Sequence, residues 1–169
     1  MKKQIFIAIA FLYAFTIKAS SLSCNLNCNL SDTLKSTRDT SKQDRLLAYA
    51  EKHLGKRYGY GKTGKGGFDC SGFVMQCFNN FGVELPHSSS AMAYLGNFVS
   101  FEHARKGDLI FFTGRSSETE TVGHVGIVTE IKNNVIYFIH ASVQAGVIIS
   151  NTEEIYYKKR FMLIKRLPI

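Results

Sequence analysis

Gly66-Gly67-Phe68-Asp69-Cys70-Ser71-Gly72-Phe73-Val74 is the stretch that decides how this chain folds. Two glycines loosen a loop. Asp69 then offers a carboxylate to the free amides of a helix start, and Cys70 becomes the first helical residue. At 3.6 residues per turn, Phe73, Val74, Cys77, Phe78 and Phe81 share the face of Cys70, while Ser71, Met75, Gln76, Asn79 and Asn80 fall elsewhere. Unpaired N–H groups and the helix dipole favour thiolate over thiol at such a position, which suits a nucleophile. A buried small hydrophobe or half of a disulfide are the plainer readings of a cysteine, and the rest of the chain has to separate them.

Upstream, Ser41 and Asp44 form a loose capping box for a helix whose apolar stripe is Leu46, Leu47, Ala50 and Leu54, with Gly55 as its stop. The loop from Lys56 to Gly67 is rich in glycine, lysine and tyrosine, a composition that lets backbone approach a ligand closely. Downstream, Gly82 and Pro86 punctuate, and Ser88 to Leu95 gives a short second helical stretch. The period then changes to alternation. Runs at Asn97–Phe101, Asp108–Phe112, His124–Glu130, Val135–His140, Gly146–Ser150 and Phe161–Leu167 read as strands, with the polar segment Gly114–Gly123 an exposed excursion between two of them. Helices first and strands afterwards, joined by short connections, specify an α+β fold with an antiparallel sheet of five to six strands on which the cysteine helix packs.

A cysteine nucleophile needs a base within reach, and the base needs an orienting group. His124 and His140 each stand in an otherwise apolar strand, where an imidazole needs a partner. If Lys132-Asn133-Asn134 is the loop between their strands, His140 pairs near Gly126 and His124 lies two residues away on the same face. An even-length loop without a bulge puts the rings on opposite faces. A Cys–His–His triad therefore requires an odd loop or a bulge. Either histidine taken alone reads more readily as a satisfied structural residue. His53, His87 and His103 read as surface or packing residues. A zinc site made of Cys70, His124 and His140 is the weaker alternative, because structural zinc favours more than one cysteine.

The chain has 169 residues, 45% of them hydrophobic, which suits one domain with a real core. Residues 1–20 read as a signal peptide, with Lys2 and Lys3 ahead of the apolar run Ile5–Ile17 and small residues from Ala19 on, so the chain is expected to be exported. Residues 21–42 are polar and aperiodic and read as a flexible tether, leaving 43–169 as the folded domain. Losing Lys2, Lys3 and Lys18 takes the formal charge from +8 to +5, mildly basic and no argument for a nucleic-acid partner. Cys24 is open to two fates: a lipidated N-terminus that attaches the chain to a membrane, or a disulfide with Cys28. Cys70 and Cys77, two helical turns and ~10 Å apart, do not pair readily.

Taken together, Gly55-Lys56-Arg57-Tyr58-Gly59-Tyr60-Gly61, Gly67-Phe68-Asp69-Cys70-Ser71-Gly72, Leu85-Pro86-His87-Ser88, Lys106-Gly107-Asp108-Leu109-Ile110-Phe111-Phe112, Gly123-His124-Val125-Gly126-Ile127 and Ile139-His140-Ala141 resemble, in order and spacing, the NlpC-type family of cell-wall cysteine peptidases. The resemblance implies a papain-like fold, Cys70 as nucleophile, His124 as general base and His140 as its orienter. It also implies Tyr58 beside the thiol as an oxyanion donor, Asp69 and Ser71 lining the subsite for the peptide upstream of the cut, and neither metal nor cofactor. The implied substrate is the peptidoglycan stem peptide, cut between γ-D-glutamate and the following diamino acid; the exported chain is expected to be a monomer in the periplasm or cell envelope. Tyr60 and Lys62 depart from the family, which usually has Trp and Gly there, so the loop shaping the cleft is expected to differ. An amidase or acyltransferase on another amide or ester, and a wall-binding module with a decayed site, are the rival functions.

Overall fold

In the computed structural model, which describes residues 41–169 apart from 115 and 119, the chain first folds as helix α1, Lys42–Glu51. The Ser41 hydroxyl accepts from Asp44 N at 3.1 Å, as the capping box anticipates, and Leu46, Leu47 and Ala50 are buried. Leu54 is a correction: the helix ends at Glu51, and Leu54 lies beyond it with 45% of its surface exposed. Strands β1 (Thr63–Gly64) and β2 (Gly67–Phe68) form a two-residue antiparallel pair leading into helix α2, Cys70–Asn79. The second helical stretch shrinks to one turn, α3, Ser89–Met92.

The remaining strands are β3 (Asn97–Val99), β4 (Leu109–Thr113), β5 (Val122–Lys132), β6 (Val135–Ser142), β7 (Gly146–Asn151) and β8 (Phe161–Arg166), with a short helix α4 (Ile155–Lys158) between the last two. They make one antiparallel sheet in the order β3-β8-β4-β5-β6-β7. The α+β expectation and its strand count therefore hold. A 3₁₀ turn at Phe101–His103 and helix α4 were not legible in the periodicity, because single turns carry too few residues to show a period.

The strands bury both faces. Phe68, Phe73, Val74 and Phe78 of the α2 side meet Leu109, Phe111, Val125, Ile127 and Ile139 on one face, and Ile110, Phe112, Val128, Ile136, Phe138, Tyr157 and Ile164 fill the other. Each buried phenylalanine contributes about 2 kcal/mol of transfer free energy. That double burial is why β4 has no polar side in its sequence. Arg166 grips Asp108 from the sheet end, Nε to Oδ1 at 2.7 Å and Nη2 to Oδ2 at 2.8 Å, which neutralises a carboxylate that is only 1% exposed.

Among the described residues no helix is long and apolar enough to cross a membrane. The segments read as a signal peptide and, for the most part, as a tether, together with Cys24 and Cys28, lie outside the described residues.

Candidate active site

Asp69 is extended, at φ −87° and ψ 176°, and its Oδ1 accepts from Gly72 N at 2.6 Å, so it caps α2. Cys70 follows, half-buried and packed against the α2-side core. Its thiol lies among the amides of Cys70, Ser71 and Val125, so the start of α2 is docked on β5 one residue beyond His124. Cys70 and Cys77 are both free thiols.

The loop before α2 runs alongside β2. Gly59 N donates to Phe68 O at 2.9 Å and Phe68 N to Arg57 O at 3.2 Å, holding Tyr58 in a parallel bridge with Phe68, two residues ahead of Cys70. A Cβ on Gly67 would stand 2.6 Å from Arg57 O at a φ of +123°, so only glycine allows this approach.

The carboxylate of Asp69 gathers more than its helix. Gly61 N donates to Oδ2 at 2.9 Å, the Ser71 hydroxyl to Oδ1 at 3.1 Å, and His87 Nε2 lies 2.9 Å from both oxygens. Two corrections follow. Ser71, off the apolar face by helical counting, is buried, with its hydroxyl satisfied by Asp69. His87, read as a surface or packing residue, is a hydrogen-bond partner of the residue that precedes Cys70. Nothing in the sequence links His87 to a carboxylate 18 residues away. The Cβ-less Gly72 admits it, since a methyl there would come within 3.0 Å of the imidazole.

His124 and His140 come together. His124 Nε2 stands 3.0 Å from His140 Nδ1, ring planes at 87°. The hairpin reaches this by a different route from the three-residue loop expected. Lys132 pairs with Val135 across a two-residue turn, with Asn133 and Asn134 at φ 51° and 61°, an even connection that by itself would separate the rings. A bulge at Thr129 inserts the missing residue: Glu130 pairs with Tyr137, but Val128 pairs with Phe138 and Ile127 with Ile139. Parity is thereby restored. Both rings face the apolar layer beside Phe112, Phe138 and Tyr157, away from the α2-side core, so the thiol reaches β5 through its backbone.

Burial sets the protonation states. It pushes the His124 imidazole down to about 4, and His140, fully buried, lies well below the usual range through desolvation and then the neighbouring His124. Both rings are therefore neutral at pH 7. Burial and then the adjacent Asp69 carboxylate push the Cys70 thiol up, outweighing the three amides that pull it down. The depressed thiol that the helix start implied is thus overturned in the resting state. Cys70 is a protonated thiol against the Val125 amide, one residue along β5 from His124, and a thiolate forms there only if a proton leaves for an acceptor. His124 Nε2 is taken by His140, so Nδ1 is the nitrogen left for that proton.

Tyr157 is the neighbour that sequence reasoning missed. Its hydroxyl lies 3.2 Å from His140 Nε2, and its ring stacks within 6.4 Å of His124. It sits on α4, where no periodicity marked it.

The sequence pattern of the NlpC/P60 family matches residues 55–166. The murein DD-endopeptidase MepS/murein LD-carboxypeptidase of Escherichia coli K12 is 41% identical over 130 residues, which cover 76% of this chain and 65% of that protein. A probable endopeptidase NlpC homolog of Haemophilus influenzae is 37% identical over 123 residues, 72% of this chain and 61% of its own length. This chain thus spans somewhat under two thirds of those relatives. Among solved structures, an NlpC/P60 family protein from Bacillus cereus superposes with a TM-score of 0.65 at 30% identity, over 75% of this chain and 40% of that one.

Proposed function

Because the chain belongs to the NlpC/P60 family, we propose that it is a cysteine endopeptidase acting on the peptides of bacterial peptidoglycan. The observation that carries this reading is a thiol at the start of α2, held on the β5 amide next to His124, whose ring is in turn held by His140.

In the proposed reaction His124 Nδ1 takes the Cys70 proton as the sulfur attacks an amide carbonyl. The resulting oxyanion accepts from the Cys70 N–H and the Tyr58 hydroxyl. The C–N bond breaks, the amine leaving with the proton from His124. A water then attacks the thioester, gives one proton to His124 and releases the acid, and the proton returns to sulfur. His140 accepts from His124 Nε2–H throughout, stabilising the imidazolium as a carboxylate or amide does in related triads. Neutral ground-state partners suit this scheme, because charge appears only when substrate has displaced water from the cleft. Asp69 and Ser71 line the upstream subsite and, with His87, fix its wall. No metal or cofactor enters the scheme.

For the bond, the family resemblance gives γ-D-glutamyl to diamino acid, whereas the Escherichia coli relative is named a DD-endopeptidase. An exported monomer in the periplasm or envelope, with or without a lipid on Cys24, fits either. Digestion of defined muropeptides, with fragments identified by mass, separates the two bonds. Cys70→Ala and His124→Ala should each lower fragment release by about three orders of magnitude. Turnover at the parent rate by Cys70→Ala would overturn the assignment.

A further inference from the structure

Tyr157 is buried to 7% exposure on the single turn α4, and its hydroxyl is the one hydrogen-bond partner of His140 Nε2 among the described residues. The ring is held on every side: Phe112 at 5.2 Å, Phe138 at 5.0 Å and His140 at 5.2 Å between centroids. Ser150, buried on β7 opposite Phe138, hydrogen-bonds the same hydroxyl. Desolvation raises the phenol to about 12, so it stays protonated.

We infer that Tyr157 is a positioning residue: with its O–H turned to Ser150, its oxygen accepts from His140 Nε2–H and holds His140 in that tautomer. A neutral imidazole carries one proton. If it is on Nε2, His140 donates to the Tyr157 oxygen and leaves Nδ1 as an acceptor for His124 Nε2–H, so His124 Nδ1 is free to take a proton. If it is on Nδ1, His140 donates to His124 Nε2, and the His124 proton moves to Nδ1, where no thiol proton can then be received. The two tautomers thus differ in whether the base works at all. An imidazolium at His124 also demands the first arrangement, since both of its nitrogens then donate. With the ring desolvated and Tyr157 its only partner on that side, removing the hydroxyl leaves the Nε2–H buried without an acceptor and tips the ring to the unproductive tautomer.

This inference rests on His124 being the base, as proposed above, and its test keeps the two apart. Nitrogen-15 spectra of the imidazoles in the unmodified protein are expected to show the His140 proton on Nε2; finding it on Nδ1 overturns the inference whatever the enzyme does. Tyr157→Phe removes one oxygen and keeps the ring. Its kcat is expected to fall about ten- to a hundredfold at unchanged KM. The His140 proton should shift towards Nδ1, and the acid limb of kcat/KM should move to lower pH because the imidazolium has lost its acceptor chain. A purely structural tyrosine would leave tautomer and limb where they were, and that result rejects the role. If His124→Ala keeps full activity, the peptidase assignment fails, while the spectra still judge Tyr157.

Discussion

Gly126 lies against His140 across the β5–β6 ladder, so closely that a Cβ on Gly126 would stand 3.2 Å from the histidine Cβ and 2.8 Å from Phe138 Cδ2. The room for His140 is the side chain that Gly126 lacks. Gly126→Ala should cost about 1–3 kcal/mol in urea unfolding and lower turnover about tenfold or more by displacing His140. Full activity in a folded Gly126→Ala protein would show that the His140 position is not demanding.

The Asp69 cluster should act as a unit. His87→Ala removes a pair that is one third exposed on the histidine side, so solvent screening limits its cost to about 1 kcal/mol. Asp69→Ala loses the helix cap together with the Gly61 and Ser71 bonds and should cost about 2–3 kcal/mol. Equal losses in chemical denaturation would mean that the cap contributes nothing.

Stability should fall on acidification. His124 binds its proton with a value near 6.5 when unfolded and about 4 when folded, so between these the unfolded state holds more protons and gains relative to the native one. The contribution is intact above pH 6.5 and lost as the pH drops to 4, on the order of 2–3 kcal/mol, with His140 adding in the same direction. Urea midpoints measured across that window should decline, and His124→Gln should flatten the slope.

Cys70 should alkylate slowly at neutral pH. With Cys24 and Cys28 replaced by serine and Cys77 buried, iodoacetamide reports on Cys70 alone. Because burial and Asp69 hold the thiol above its ordinary value, the rate should climb only at alkaline pH. Rapid modification at pH 7 would mean that a thiolate is already present at rest.

The β5–β6 turn is built on two left-handed asparagines, Asn133 and Asn134. Asn134→Gly should stabilise by a few tenths of a kcal/mol, whereas Asn134→Val should cost about 1–2 kcal/mol. Deleting Thr129 removes the bulge and should abolish activity by returning His124 and His140 to opposite faces, which loss of the imidazole–imidazole contact in NMR would register.

The sequence by itself determined the helix at Cys70, its Asp69 cap, the strand-rich second half and the condition under which His124 and His140 could meet. All of these follow from local rules: capping chemistry, the 3.6- and 2-residue periods, and the parity of a hairpin. Tertiary structure alone decided how that parity was met, by a bulge at Thr129 rather than a longer loop. It also brought His87 to Asp69 and Tyr157 to His140 from 18 and 17 residues away, pairings that no period encodes. The Cys70 proton was decided there too. A helix start favours the thiolate, but desolvation and a neighbouring carboxylate oppose it, and how deeply a group is buried is a property of the packed core that no nine-residue stretch contains.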